Sequence, residues 1–275
     1  MRQRLLNEAK RRGESFDYVA SLYARERFLA RLSVSPHRGR LILKGAAALT
    51  FWTDAYRPTR DLDFLGSGNF QPDETAAFIR DIVSSTVVDD GLEFDAGSVT
   101  VEPIRKADEY HGVRVHLGAT LDAGRIRLQI DIGTGDIVTP PARSATLPSI
   151  LEDFPKPRVK VYPPETIVAE KLHAMVKLGI ANSRMKDFFD VYVLARSRHF
   201  DANLLAKAIA RTFKRRKTAI PEEPFALTPE FYSDRGKQAQ WRAFLTKSGV
   251  SAPAVFSEVG DVVRTFLRAV IGKSP

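Results

Sequence analysis

The sequence contains no cysteine. That excludes disulfides, thiolate zinc sites and thiol nucleophiles, and it predicts a cytoplasmic protein. No run approaches the ~18 consecutive apolar residues of a membrane span, so no membrane partner is expected. The N-terminus, MRQRLLNEAKRRG, lacks the apolar stretch of a secretory signal. Fixed-period repeats and low-complexity tracts are also missing. What remains is a globular composition, 44% hydrophobic and 27% charged, over 275 residues. Such a length can bury a real core and accommodates two small domains.

The net charge of +9 is unevenly placed. Residues 1–145 carry 20 Lys+Arg and 20 Asp+Glu, whereas residues 146–275 carry 22 against 13. The whole excess therefore lies in the second half. A nucleic-acid partner fits this asymmetry, and so does a solvated basic surface or a dock for an acidic protein.

Hydrophobic spacing predicts helices through the first forty residues, with Tyr18, Leu22, Phe28, Leu29 and Leu32 on one face. A turn follows at SPHRGR. RLILKGAAALTFW reads as a strand ending at Gly45 and a short helix from Ala46 to Trp52. RPTRDLDFLG alternates as a strand does, with Thr59, Asp61 and Asp63 on one side and Leu62 and Phe64 on the other. A helix is expected over 73–88, and strands at VTVEPIR, VRVHLGATL and RIRLQIDIG. The proline-rich LPSILEDFPKPRVKVYPPET reads as a connector. Beyond it the pattern is helical, interrupted by Pro221, Pro224 and Pro229. The fold class expected is α+β: a mixed sheet with flanking helices over residues 1–145, then a basic, mostly helical domain over 146–275 that completes an active-site cleft.

The chemistry starts from the acids. Two carboxylates on one side of a strand repel unless a cation sits between them. Ile126, Leu128, Ile130 and Ile132 define the buried side of RIRLQIDIG, which turns Arg127, Gln129 and Asp131 to the other. If the two strands are neighbours in register, Asp61, Asp63 and Asp131 form an all-oxygen cluster suited to Mg²⁺. Two such ions would clamp the attacking and leaving oxygens of an in-line phosphoryl or nucleotidyl displacement. The bland alternative is a pair of exposed acids at a strand end. Two other motif readings fail on detail. An aspartyl-phosphate phosphohydrolase wants an apolar strand before its first Asp, where Arg57-Pro58-Thr59-Arg60 stand; a D…[DE]-x-K nuclease wants a lysine that neither Asp63 nor Asp131 has. Upstream, Lys44-Gly45-Ala46 at a strand-to-helix junction would bring backbone N–H groups and a cation to a phosphate.

This order of motifs resembles the polymerase-β-like nucleotidyltransferase fold and, within it, the AbiEii/AbiGii-type toxin family. The resemblance covers most of the chain: the opening RLLNEAKRRG…FLARLSVSPH, then LKGAAALTFW, RPTRDLDFLG, RLQIDIGTGD, YPPETIVAEKLHAMVKLGIANSRMKDFFDVYVL and QWRAFL. Ala46 departs from the superfamily turn, where Gly or Ser follows the Gly. A hydroxyl contact is lost there, and the cradle falls to backbone N–H groups with Lys44 or Thr59.

The resemblance implies a Mg²⁺-dependent transfer of NMP from an NTP to an RNA acceptor, the tRNA 3′ end, with pyrophosphate released and translation blocked. It also implies a cognate, AbiEi-like antitoxin. Asp61, Asp63 and Asp131 are then the metal ligands, and Asp131 is also placed near the attacking hydroxyl. Lys44, Gly45, Ala46, Thr59, Lys171, Arg184 and Asp190 are assigned to the nucleotide. Lys171 meets the phosphates, and Asp187 and Asp190 orient it or hold the acceptor. From the residues alone, Lys171 on an apolar helix flank snorkels to water or aims into a cleft, and Arg184, Asp187 and Asp190 read as a surface charge cluster. RTFKRRK places Arg211, Lys214 and Arg215 at helical spacing, with Arg216 and Lys217 following. This basic stripe suits an RNA backbone, or is a solvated helix end. A nucleotide-binding protein without turnover, and a protein-modifying nucleotidyltransferase, stay open as rival functions.

Overall fold

The computed structural model describes residues 1–54, 57–59, 61–104 and 112–271. The chain divides into two compact units: Met1–Ala47 with Thr59–Gly135 and Arg143–Val161, and Ala48–Pro58 with Asp136–Ala142 and Tyr162–Pro275.

In the first unit, α1 (Arg2–Arg12) stops at Gly13, whose left-handed backbone (φ 66°) returns its N–H to the last-turn carbonyls. The next helix, α2 (Phe16–Val34), begins at Ser15, whose hydroxyl accepts from the Tyr18 N–H. There follow β1 (Leu41–Lys44), α3 (Gly45–Leu49), β2 (Asp61–Gly66), α4 (Pro72–Val83), β3 (Leu92–Pro103), β4 (Gly112–Leu121), β5 (Gly124–Thr134), β6 (Arg143–Thr146) and β7 (Arg158–Val161). The seven strands form one mixed sheet in the order β3-β4-β5-β2-β1-β7-β6. The β2–β5 and β1–β7 pairs are parallel and the remainder antiparallel.

One face of this sheet is apolar. Leu62 and Phe64, Leu128, Ile130 and Ile132, and Val113, Val115 and Leu117 are all buried there. α2 packs on β5 and β7, and α4 on β3. Phe28 of α2 meets Phe64 with ring centroids 6.5 Å apart. Each such side chain contributes about 1.5–3 kcal/mol by leaving water. The strands' alternate residues are left to form the opposite, polar face.

Three sequence expectations shift. The helix expected over Ala46–Trp52 closes after five residues, and the one expected over 73–88 runs from Pro72 to Val83. The proline-rich segment is no free connector. Glu26 of α2 accepts from Ile150 N–H and Ser149 Oγ, both at 2.7 Å, and the chain then enters β7. A fixed carboxylate overrides what proline content suggests.

The second unit carries α5 (Pro164–Leu178), α6 (Met185–Ser197), α7 (Ala202–Arg215), α8 (Pro229–Ser233), α9 (Arg235–Ser248) and α10 (Phe256–Ile271). Its core is aromatic. Phe188 stacks on Phe231 at 5.5 Å and meets Phe256 edge-on at 5.2 Å, and Trp241 stacks on Phe256 at 5.2 Å. Gly260 makes this packing possible, because a Cβ there would lie 2.3 Å from the Tyr232 ring. The α+β class, with a mixed sheet and a helical C-terminal part, is as the sequence predicts.

Candidate active site

The alternation of β2 and β5 turns Asp61, Asp63, Gln129 and Asp131 away from the apolar face. The parallel register pairs Asp61 with Gln129 and Asp63 with Asp131. The three predicted acids therefore share one face of adjacent strands. The register continues outward on both sides: Lys44 of β1 pairs with Asp63, Arg114 of β4 with Asp131, and Glu102 of β3 with Arg114. One row across five strands thus reads Lys44, Asp63, Asp131, Arg114, Glu102. Each of the two central acids has a cation as its outer neighbour.

Gly45 explains its own identity. It adopts φ +67°, and a Cβ there would lie 2.2 Å from Asp63 Oδ2. Its backbone is pressed against the carboxylate, and no side chain is tolerated. Ala46 is buried behind it. With only five residues, α3 supplies little dipole, so the anion cradle expected here rests on the Gly45 backbone and Lys44. Lys44 Nζ reaches across to β5, 3.4 Å from where a Gly133 Cβ would stand. Thr59 precedes β2 rather than sharing its face. Its hydroxyl is 3.4 Å from the Asp61 carbonyl, and its own carbonyl accepts from Arg25.

Arg114 is the residue that sequence reasoning passed over. Its Nε and Nη2 fork Asp131 at 2.9 and 2.8 Å. The hydrogen bond to Asp131, reinforced by the charges of Asp61 and Glu102, holds its pKa above the usual arginine range. The only sequence signal was its polar place in the alternation of VRVHLGATL. Among the described residues, no three carboxylates or imidazoles are gathered closely enough to hold one ion as they stand. The donor set nevertheless suits a hard divalent cation, being oxygen throughout, with the Asp63 carboxylate lying directly against the Gly45 backbone.

The second unit gathers its own predicted residues. Lys171 of α5 lies 2.8 Å from Asp187 Oδ1 and 2.7 Å from Asp190 Oδ2, both on α6. The aspartates are fully buried and the lysine side chain is 12% exposed. Arg57 forks Asp190 at 2.9 and 3.1 Å. Arg184 Nε stands 2.7 Å from Asp187 Oδ2, an ion pair without hydrogen-bond alignment. Burial alone would lower the Lys171 pKa, but Asp187 and Asp190 carry it above its ordinary value. Burial likewise pushes Asp187 up, and Lys171 and Arg184 outweigh it, leaving the carboxyl below its usual range. The surface-cluster reading is therefore wrong for Asp187 and Asp190. Arg57 was the missed member, visible only as the first residue of RPTRDLDFLG.

The basic stripe is divided. Arg211, Lys214, Arg215 and Lys217 are exposed. Arg216 turns inward, 2.8 Å from Asp136 and 3.4 Å from Glu170, with His173 Nδ1 at 3.1 Å.

The profile of the nucleotidyl transferase AbiEii toxin family, type IV toxin–antitoxin system, matches residues 27–268. The chain belongs to the AbiEii family. Two solved structures from Helicobacter pylori are similar to this AbiEii chain. JHP933 superposes with a TM-score of 0.50 at 14% identity, covering 92% of this chain and 93% of its own. A protein described provisionally as a nucleotidyltransferase gives a TM-score of 0.49 at 15% identity, with 94% and 96% covered. At 14% identity the likeness to JHP933 shows the fold alone. No curated protein matches the chain. As an AbiEii protein it has a nucleotidyltransferase fold, and its toxin family implies an antitoxin partner. No helix among the described residues is long and apolar enough to cross a membrane.

Proposed function

We propose that this AbiEii toxin transfers a nucleoside monophosphate from an NTP to an RNA hydroxyl, releasing pyrophosphate, and that the tRNA 3′ end is the acceptor. The register of Asp63 with Asp131 beside the left-handed Gly45 carries the reading. Asp61, Asp63 and Asp131 would hold Mg²⁺, which when bound supplies charge stabilisation to the attacking and leaving oxygens. Gly45 and Lys44 bind the triphosphate on the β1 side. Asp131, on the opposite side of Asp63, faces the acceptor hydroxyl and accepts its proton. Among the described residues, the Lys171 cluster joins Arg57, Lys171 and Arg184 to Asp187 and Asp190. Lys171 is assigned to the substrate's phosphates, with Asp187 and Asp190 fixing the ammonium. The antitoxin partner is proposed to be AbiEi-like, and the site of action cytoplasmic.

Asp131's engagement by Arg114 favours one rival, nucleotide binding without turnover. Incubation with each labelled NTP, Mg²⁺ and either total tRNA or protein extract separates the readings. Label is expected on tRNA, at its 3′ end. Label on protein only, or NTP bound and never transferred by folded protein, would overturn the proposal.

A further inference from the structure

Arg114 stands where an acceptor-side metal ligand needs room. Both oxygens of Asp131 are taken by its guanidinium, and the Gln129 amide, with its oxygen oriented toward Arg114, accepts from Arg114 Nε at 3.1 Å. A divalent cation on Asp131 and a guanidinium on the same carboxylate repel each other, so both cannot keep it fully. The arginine has somewhere to go. Its side chain is 36% exposed, and Glu102, the next residue in the row, is 61% exposed. It also lies on the far side of Asp131 from Lys44 and Gly45, the residues assigned to the triphosphate. A phosphate arriving there belongs to the other substrate. A guanidinium forks a phosphate with the same two parallel N–H groups it offers a carboxylate.

We propose that Arg114 exchanges partners: it holds Asp131 until a divalent cation takes the carboxylate, and then passes to a backbone phosphate of the acceptor strand. Arg114 is then a positioning residue for Asp131 before the cation binds and a phosphate ligand after it. Metal entry and acceptor binding are coupled through it, because the cation that displaces the guanidinium creates the acceptor's phosphate site. Without the arginine, Asp63 and Asp131 would face each other with one counter-cation fewer. This inference deepens the nucleotidyl-transfer reading and rests on it.

The test is Mn²⁺ binding to the full-length protein, measured by the loss of the free-ion EPR signal without nucleotide or RNA. Arg114→Gln should bind Mn²⁺ about tenfold more tightly than wild type, the order of one competing charge-assisted hydrogen bond. Arg114→Lys should fall between them, and it gives the same comparison if Arg114→Gln does not fold. With RNA present, Arg114→Gln should raise the acceptor KM several-fold more than it lowers kcat, and it should reduce the salt dependence of RNA binding by about one phosphate contact. Binding that Asp63→Asn abolishes but neither Arg114 variant tightens overturns the exchange alone. Mn²⁺ binding indifferent to Asp63→Asn overturns the metal reading, and the exchange with it.

Discussion

Asp63 and Asp131 lie directly opposite each other across the parallel β2–β5 pair, although 67 intervening residues separate them in the chain. Two like charges so placed cost free energy unless cations neutralise them, and Lys44 and Arg114 flank them in the same row. That relationship generates the first test. Asp63→Ala removes a carboxylate and its repulsion, so the fold should persist. Transfer activity and toxicity should be abolished, a drop of at least about a hundredfold. Label incorporation and a thermal melt check both halves, and wild-type turnover would refute the metal role.

Gly45→Ala should fail for a different reason. The new methyl must occupy a left-handed backbone and meet Asp63 Oδ2 at 2.2 Å. The backbone cost alone is about 1–2 kcal/mol, and the displaced carboxylate should remove transfer. Melting temperature and NTP titration together would show this. An unchanged affinity and turnover would mean that the Gly45 backbone is not part of the site.

The Lys171 network sets a pH window. Asp187 is held below its usual value, so its stabilisation is complete above the ordinary carboxylate range and disappears as pH falls through the lowered folded pKa. Lys171 is held above its usual value, so its contribution is complete below that value and is lost as pH rises through the raised one. Asp187→Asn should cost about 3 kcal/mol at neutral pH, because it leaves a buried lysine with one carboxylate fewer. Urea unfolding across pH should show a flatter acid limb in the variant. An acid limb identical to wild type would sink the assignment.

Arg216 and its neighbours should part company. Arg216→Gln abandons Asp136 and Glu170, and should lower the melting temperature by several degrees. Lys214→Gln with Arg215→Gln should melt near wild type. The double variant should instead flatten the salt dependence of RNA binding by about 1.5–2 in logarithmic slope. An unchanged slope would move the RNA surface off α7.

Gly260→Ala tests the second core. Its methyl would lie 2.3 Å from the Tyr232 ring, so α10 must shift or the aromatic cluster must open. A loss of about 1–3 kcal/mol is expected from overpacking, read by chemical denaturation. A neutral result would show that the ring moves freely.

Period and punctuation made most elements legible. The alternation in RIRLQIDIG placed Asp131 opposite the buried isoleucines, and β5 bears this out. The strand β7 was hidden because its few residues sit among prolines, and its pairing with β1 is a long-range event. Arg57 and Arg114 were hidden for a related reason. An arginine on a polar strand face, or before a proline, looks solvated until its carboxylate partner is known, and those partners lie 133 and 17 residues away.

The sequence by itself determined the hydrophobic faces and the absence of thiol chemistry, since these follow from local periodicity and composition. Which acids oppose one another, which arginine grips Asp131 and which basic residue turns inward were decided by tertiary structure alone. Register and ion pairing depend on distances between segments far apart in the chain, and no local pattern encodes them.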